Sequence, residues 1–359
     1  MKKGICLVII VLTLTGCWDR IEIEDRAFAV AFGVDAADED DDNEGEVRFQ
    51  FSAAIARPDE ESAGDEEDGE SDSSTQGRTL IEAIYALDAR CSRKLSFGQA
   101  KTVVLGRGLL EDRELFREAI GTIENRPEVD RTITVLAANG DVPDLLAASP
   151  HEGAKQGYYV VNFYRLAPKS GGRSFQKNFE KMMAELRATG NTLLPLVQKA
   201  DDNIQVAGAL AIKDYQLAGE LDGAELRGLL WAEDRACKGA ILTTEDNMPM
   251  VVRRHKSNVR FVEEAGHLRC IINVRVKGEV FSFGDEAPKA LYYEQLIEQE
   301  IKTAAEKLQH ELALDAFNFR IALRKQQYAL YQQYAADWEQ AFAEMEIVPM
   351  VRCDILIKS

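Results

Sequence analysis

Residues His267–Phe283 read HLRCIINVRVKGEVFSF, and the alternation inside that stretch decides the fold class. Cys270, Ile272, Val274 and Val276 fall on one side of an extended chain; Ile271, Asn273, Arg275 and Lys277 fall on the other. A period of two, with one apolar side, is a half-buried strand of an antiparallel sheet. Upstream, VVRRHKSNVRFV (Val251–Val262) is strand-like too, so strands dominate from Gly239 to Phe283. Downstream, Pro288–Leu314 sets Ile297, Ile301, Leu308 and Leu312 in one stripe at helical spacing. That is a long helix, and its ordinary use is to pack on the adjacent sheet. EIVPMVRCDILIKS closes the chain as a further strand.

The first half mixes strands with helices. RAFAVAFGV (Arg26–Val34) and EVRFQFSAAIA (Glu46–Ala56) read as strands, the second with Val47, Phe49 and Phe51 on one face. Helices are predicted over Thr79–Arg90, Leu109–Glu124, Ala154–Tyr164 and Phe175–Arg187, with short buried strands at Lys101–Gly106 and Thr132–Ala138. Asp141 and Asp144 flank Pro143 at a further helix start. Ser170–Ser174, SGGRS, reads as a flexible link. Past Ala200 the character changes: QVAGALAIK (Gln205–Lys213) and Gln216–Glu220 form two strands around a turn at Asp214, and Asp222–Trp231 is a helix. The domain reading is therefore an α/β region over 17–200, divisible near 140–150, and an α+β domain over 201–359.

The formal charge of −18 is mostly local. Seven acids stand between Asp38 and Glu46 and nine between Asp59 and Asp72, with no basic residue in either run. Setting those aside, together with Lys2 and Lys3, leaves 45 acidic against 41 basic residues, a nearly balanced body. Residues 57–77 are expected to be a disordered, solvated loop. Calcium binding there would need a turn glycine and a closing glutamate at loop spacing, which are missing. The balance gives no basic stripe for nucleic acid. Cys91, Cys237, Cys270 and Cys353 are scattered with no CxxC, and His151, His255, His267 and His310 stand far apart, so no metal set is readable. The state of those thiols stays open between buried free cysteines and disulfides. No GxSxG, P-loop, HExxH or GxGxxG at a strand-to-helix turn occurs, and Gly106-Arg107-Gly108 reads as a turn. No catalytic residue and no cofactor is predicted.

The N-terminus carries the sharpest signal. Lys2 and Lys3 precede CLVIIVLTL (Cys6–Leu14), an apolar run of nine residues, too short to span a hydrocarbon core of roughly 20 residues. Leu14, Thr15 and Gly16 then lead into Cys17. This is the pattern of a bacterial lipoprotein signal: residues 1–16 are removed and Cys17 is acylated, each buried methylene contributing about 0.8 kcal/mol.

The start GCWDRIEIEDRAFAVAFGVD resembles the opening of the Ger(x)C family, the C-subunit lipoproteins of spore germination receptors. Cys17, Trp18, Asp19, Arg20, Glu22, Glu24, Gly33, Val34 and Asp35 carry it. FGQAKTVVLG resembles a later family segment, with Gln99 where histidine is expected. Arg126, Glu128, Gly140 and Asp144 fall at matching places in ENRPEVDRTITVLAANGDVPDLL. VAGALAIKDYQLAGEL resembles the family's strand-turn-strand, and LDAFNFR its Asp-x-x-Gly motif, with Asp315 kept and Asn318 replacing glycine. Trp338 and Phe342 precede the last strand as in the family, and the acidic insertion after Pro58 is a departure.

The resemblance implies three mixed α/β domains in an extended α+β arrangement, without enzymatic activity. It implies a receptor subunit acting in nutrient-triggered germination, lipid-anchored to the outer face of the cytoplasmic membrane, the spore inner membrane. Its partners would be the integral-membrane A and B subunits and the clustering lipoprotein D. Trp18 and Asp19 would sit at the membrane interface or against a partner, or serve only as linker. The alternative is a solute-binding lipoprotein capturing the nutrient in a deep cleft. An exported hydrolase would need clustered carboxylates or a hidden triad.

Overall fold

The computed structural model describes residues 22–37, 47–56, 74–148, 162, 171–201, 203–234, 236–244, 247–264, 266–281 and 289–358. The apolar run, Cys17, Trp18, Asp19, both acidic runs and the helix expected over 154–164 (apart from Asn162) lie outside the described residues.

Strand β1 (Arg26–Ala36) is buried over most of its length because it runs inside a sheet covered on both faces. It pairs antiparallel with β2 (Phe49–Ile55), which pairs antiparallel with β3 (Ser74–Gly77). Helix α1 (Leu80–Arg90) follows, its N-cap Thr79 accepting from the Glu82 amide. Strands β4 (Lys94–Ser96) and β5 (Thr102–Leu105) both run parallel to β1. Short α2 (Arg107–Glu111) and α3 (Arg113–Glu124) then lead to β6 (Thr134–Asn139), parallel to β5. After α4 (Val142–Ala147) and α5 (Phe179–Thr189) come β7 (Thr192–Ala200), β8 (Asn203–Lys213) and β9 (Gln216–Leu221). The order is β3-β2-β1-β5-β6-β7-β8-β9, with β4 beside β1.

Alternation sorts these strands' side chains onto two faces. Phe32, Phe51, Val103, Val135, Leu194 and Leu210 pack with α1, α3 and α5. Val104, Leu136 and Ala138 point the other way, onto Val142, Leu145 and Leu146 of α4. Farther along that second face, Leu193, Ala209, Ala211 and Leu221 join the core of the second sheet. The hairpin β7–β8 crosses the composition change at residue 200, so one sheet runs through it. At the next hairpin, Asp214 and Tyr215 both take positive φ (50° and 65°), the backbone of a tight two-residue turn.

Helix α6 (Gly223–Leu230) opens the second half with a capping box between Asp222 and Glu225. Strands β10 (Ile241–Thr243), β11 (Pro249–Glu264) and β12 (His267–Phe281) are antiparallel. Helix α7 (Ala290–Glu306) runs on into a π turn (Lys307–Glu311), followed by α8 (Phe319–Gln326), α9 (Tyr328–Tyr334), α10 (Trp338–Ala343) and β13 (Glu346–Lys358), which lies parallel to β12. Ile297, Ile301 and Leu308 are fully buried and Leu312 nearly so, in one core with Cys270, Ile272, Val274 and Val276. The stripe thus packs on its own sheet. The architecture is mixed α+β, as the sequence indicated, and the described strands form two sheets.

Several boundaries differ from the sequence reading. Ser74–Gly77, expected within the acidic loop, is a strand, because the Thr75 hydroxyl donates to Ala83 O at 2.7 Å and ties it to α1. The helix expected over Leu109–Glu124 is two helices, since Asp112 caps α3 by accepting from Glu114 N and Leu115 N. The helix expected from Phe175 starts at Phe179, where Asn178 caps it. Gly171 and Gly172 are buried in left-handed backbone (φ 78° and 74°), and a Cβ on Gly171 would stand 2.4 Å from Gly239 and Ala240. SGGRS is therefore a fitted contact over its described part. Strand β7 escaped the reading because Pro195 argues against a strand. Its neighbour β6 pairs only over Leu196–Gln198, so at Pro195 one side of β7 has no strand partner.

Helix α6, whose Leu226 and Leu229 share a core with Ala209 and Ala211 of β8 in the first sheet, crosses α7, which packs on the second. A Cβ on Gly228 would stand 2.1 Å from Glu300 O, so only glycine lets the backbones approach this closely. Gly228→Ala should lower stability by about 1–3 kcal/mol through overpacking, despite alanine's better helix propensity. Urea unfolding followed by circular dichroism checks this; an unchanged or raised midpoint contradicts the crossing.

Candidate functional site

The residues that carry the sequence motifs have definite places. A Cβ on Gly33 would stand 2.1 Å from Val142 Cγ1, so α4 can sit on β1 only over glycine. Asp35 Oδ1 accepts from Leu109 N at 2.9 Å, and a Cβ on Gly106 would stand 1.9 Å from the Asp35 Cγ. Gly33, Asp35 and the Gly106-Arg107-Gly108 turn form one latch, with the carboxylate over the start of α2. Asp141 caps α4 by accepting from Asp144 N at 2.8 Å. The Arg126 guanidinium lies over the Phe97 ring, 5.4 Å from its centroid, and 3.7 Å from Glu128.

A second group lies under the second sheet. The buried Asp315 carboxylate accepts from Phe319 N (3.0 Å), Arg320 N (2.8 Å) and Trp338 Nε1 (3.1 Å). Burial pushes its pKa up against the pull of those three donors. Asn318, where the family motif has glycine, takes φ 59°, a left-handed conformation that asparagine tolerates better than most residues. Phe342 and Met345 offer their carbonyls to the buried Gln309 amide. These motif residues hold helix starts and chain crossings together.

One buried polar cluster was not legible in the sequence. At the α6–α7 crossing, Glu300 accepts from Arg227 Nε at 3.0 Å and from Trp231 Nε1 at 2.8 Å. Hydrogen bonding to Glu300 holds the Arg227 pKa above its ordinary value. Next to it, His255 Nδ1 accepts from Cys237 N (3.3 Å), so its proton sits on Nε2, 3.2 Å from Trp231 O. Burial lowers the His255 pKa, while the Trp231 carbonyl and Asp234 pull it the other way. Burial raises the thiols of Cys237 and Cys270 and pushes Cys353 up to about 12. All four described cysteines are free, and these three are inert as nucleophiles at neutral pH. Lys177 is likewise buried, its pKa lowered by desolvation, and pairs with Glu185.

On the surface, α1 and α3 flank an open groove of about 450 Å³ lined by Ile81, Tyr85, Arg117, Gly121 and Arg126. Ile23, close to the expected anchor, is 73% exposed. Among the described residues no helix is long and apolar enough to cross a membrane, and no three His, Cys, Asp or Glu side chains gather as a metal set.

Comparison with known proteins gives matches along almost the whole chain. Residues 19–199 match the profile described as "Spore germination protein N-terminal domain", and residues 207–357 match "Spore germination B3/ GerAC like, C-terminal". Spore germination protein B3 of Bacillus subtilis (strain 168) is 22% identical, covering 96% of this chain and 94% of its own. Spore germination protein YndF of the same organism is 21% identical over 98% and 94%. The crystal structure of the GerBC protein superposes with a TM-score of 0.60 at 17% identity, covering 91% of this chain and 98% of that one, which establishes a shared fold.

The neutral His255 has a measurable consequence. Below its ordinary pKa of 6.5 the unfolded chain takes up a proton that the folded imidazole resists, so this contribution to stability is present above pH 6.5 and lost as pH falls. In wild-type protein the urea midpoint should fall as pH drops below 6.5, and His255→Gln should flatten that part of the curve. Parallel curves for the two proteins would contradict it.

Proposed function

The chain belongs to the GerAC-like spore germination family, and from that premise we propose that it is the lipid-anchored C-type subunit of a nutrient receptor in the spore inner membrane. The end-to-end match to both family profiles carries the reading. The placement of Gly33, Asp35, Asp315 and Trp338 supports it, because side chains that hold the fold leave the surfaces to do the work. In this reading the protein acts through contacts and performs no catalysis. Cys17 carries the acyl chains, and Trp18 and Asp19 lie at the interface or against a partner. The integral-membrane A and B subunits are its partners, with a clustering lipoprotein D alongside. The protein faces the outer side of the cytoplasmic membrane.

Release of dipicolinic acid from spores tests this. Spores lacking the gene should lose release triggered by the receptor's nutrient and keep release triggered by added dipicolinate. Cys17→Ala should shift the chain out of the membrane fraction and weaken the nutrient response in the same way. A full response to every nutrient, with sister receptors also deleted, would contradict the assignment.

A further inference from the structure

The outward face of the second sheet carries a block of like charge that folding does not require. Side chains alternate faces along a strand, and the register of β11, β12 and β13 fixes which of them meet. Lys256 stands opposite Arg275, which stands opposite Arg352. One step along, Arg254 stands opposite Lys277 and Lys277 opposite Asp354; on the other side, Arg260 stands opposite Ile271. These six cations are exposed. Of the six, only Lys277 has an acidic partner among the described residues, Asp354 at 3.6 Å, and both side chains of that pair are largely in solvent. Like charges directly opposite across strands destabilise a sheet. The body outside the two acidic runs holds 45 acids against 41 bases, so a patch rich in cations is a local segregation of charge and not an excess of basic residues.

The same face carries apolar side chains at the outer strand. Met350 and Leu356 are 56% and 59% exposed, and by register they share the face of Arg352. The reverse face is occupied by Ile272, Val274 and Val276 in the core, so this side remains outward. Neighbouring strands lie about 4.8 Å apart and alternate residues about 7 Å apart, which spreads the cations over a broad sheet face. The rows of Arg275, Lys277 and Ile271 hold no aromatic side chain among the described residues; Phe281 lies two rows beyond Lys277 on the same side, opposite Lys358.

We propose that this face rests on an anionic membrane surface, its six cations meeting lipid phosphates while Met350 and Leu356 enter the headgroup boundary. A two-dimensional cation array suits a plane of phosphates better than it suits one extended acidic peptide, and exposed aliphatic side chains beside cations are the signature of interfacial binding. The inference rests on the receptor-subunit reading for its setting, since a lipid at Cys17 holds the chain at a bilayer and raises the effective concentration of that surface.

The test uses the mature chain from residue 17 with Cys17→Ser, so that no lipid contributes. It is sedimented with vesicles of phosphatidylcholine and with vesicles of equal phosphatidylcholine and phosphatidylglycerol. Binding is expected to the phosphatidylglycerol vesicles alone and to weaken with salt. The Lys256→Glu, Arg275→Glu, Arg352→Glu variant should lose more than about tenfold in affinity while keeping its unfolding midpoint. Reversing three exposed cations elsewhere, Arg113→Glu, Lys181→Glu and Lys325→Glu, gives the same net charge and should change binding by less than about twofold. Equal binding to both vesicles, binding to neither, or full binding by the first variant overturns the proposal. Capture of polyglutamate without vesicle binding would assign the face to an acidic protein instead. None of these outcomes touches the receptor assignment, which the spore assay decides separately.

Discussion

The Glu300 carboxylate, buried where α6 crosses α7, is the contact on which the two-sheet architecture depends. Arg227 and Trp231 of the α6 region both donate to it, and Gly228 lets the helices close around it. A buried pair of this kind adds little net stability over an apolar replacement. Breaking one half of it costs about 3–5 kcal/mol, because the other charge is left stranded. Its role is therefore to fix geometry. Helix α6 follows β9 directly, and α7 packs on β13, so the crossing sets how the second sheet sits against the first.

From that constraint the functional reading follows. The polar side chains of the motifs go into latches: Asp35 over Gly106, Asp315 under Trp338, Asp141 before α4. The buried cysteines have raised pKa values, and His255 is held neutral by burial. What the fold presents outward is surface, including a groove between α1 and α3 and a cationic sheet face. Such a body suits a subunit that positions and couples its neighbours.

Much of the fold was readable because its signals are local. The alternation in Cys270–Lys277 and the stripe Ile297–Leu312 are each set by one element's period, and both hold. Asp214 announced the β8–β9 turn and Asp222 the start of α6 for the same reason. Strand β7 was hidden by Pro195, whose effect depends on where β6 stops. The Glu300 cluster was invisible because Arg227 and Glu300 are 73 positions apart and only a helix crossing brings them together. The cationic face was missed for a related cause. Its charges alternate with apolar residues on three strands, two adjacent and one distant, so the balanced composition concealed their register. The expected anchor Cys17, with Trp18 and Asp19, lies outside the described residues, so that expectation rests on the sequence alone.

The central claim is that this chain works as one subunit of a membrane complex. Affinity purification of the tagged chain from detergent-solubilised spore membranes tests it most directly. The account predicts that the two integral-membrane subunits of one receptor co-purify with the wild-type chain in fixed proportion. A chain that remains in the membrane fraction yet purifies without either of them would contradict it.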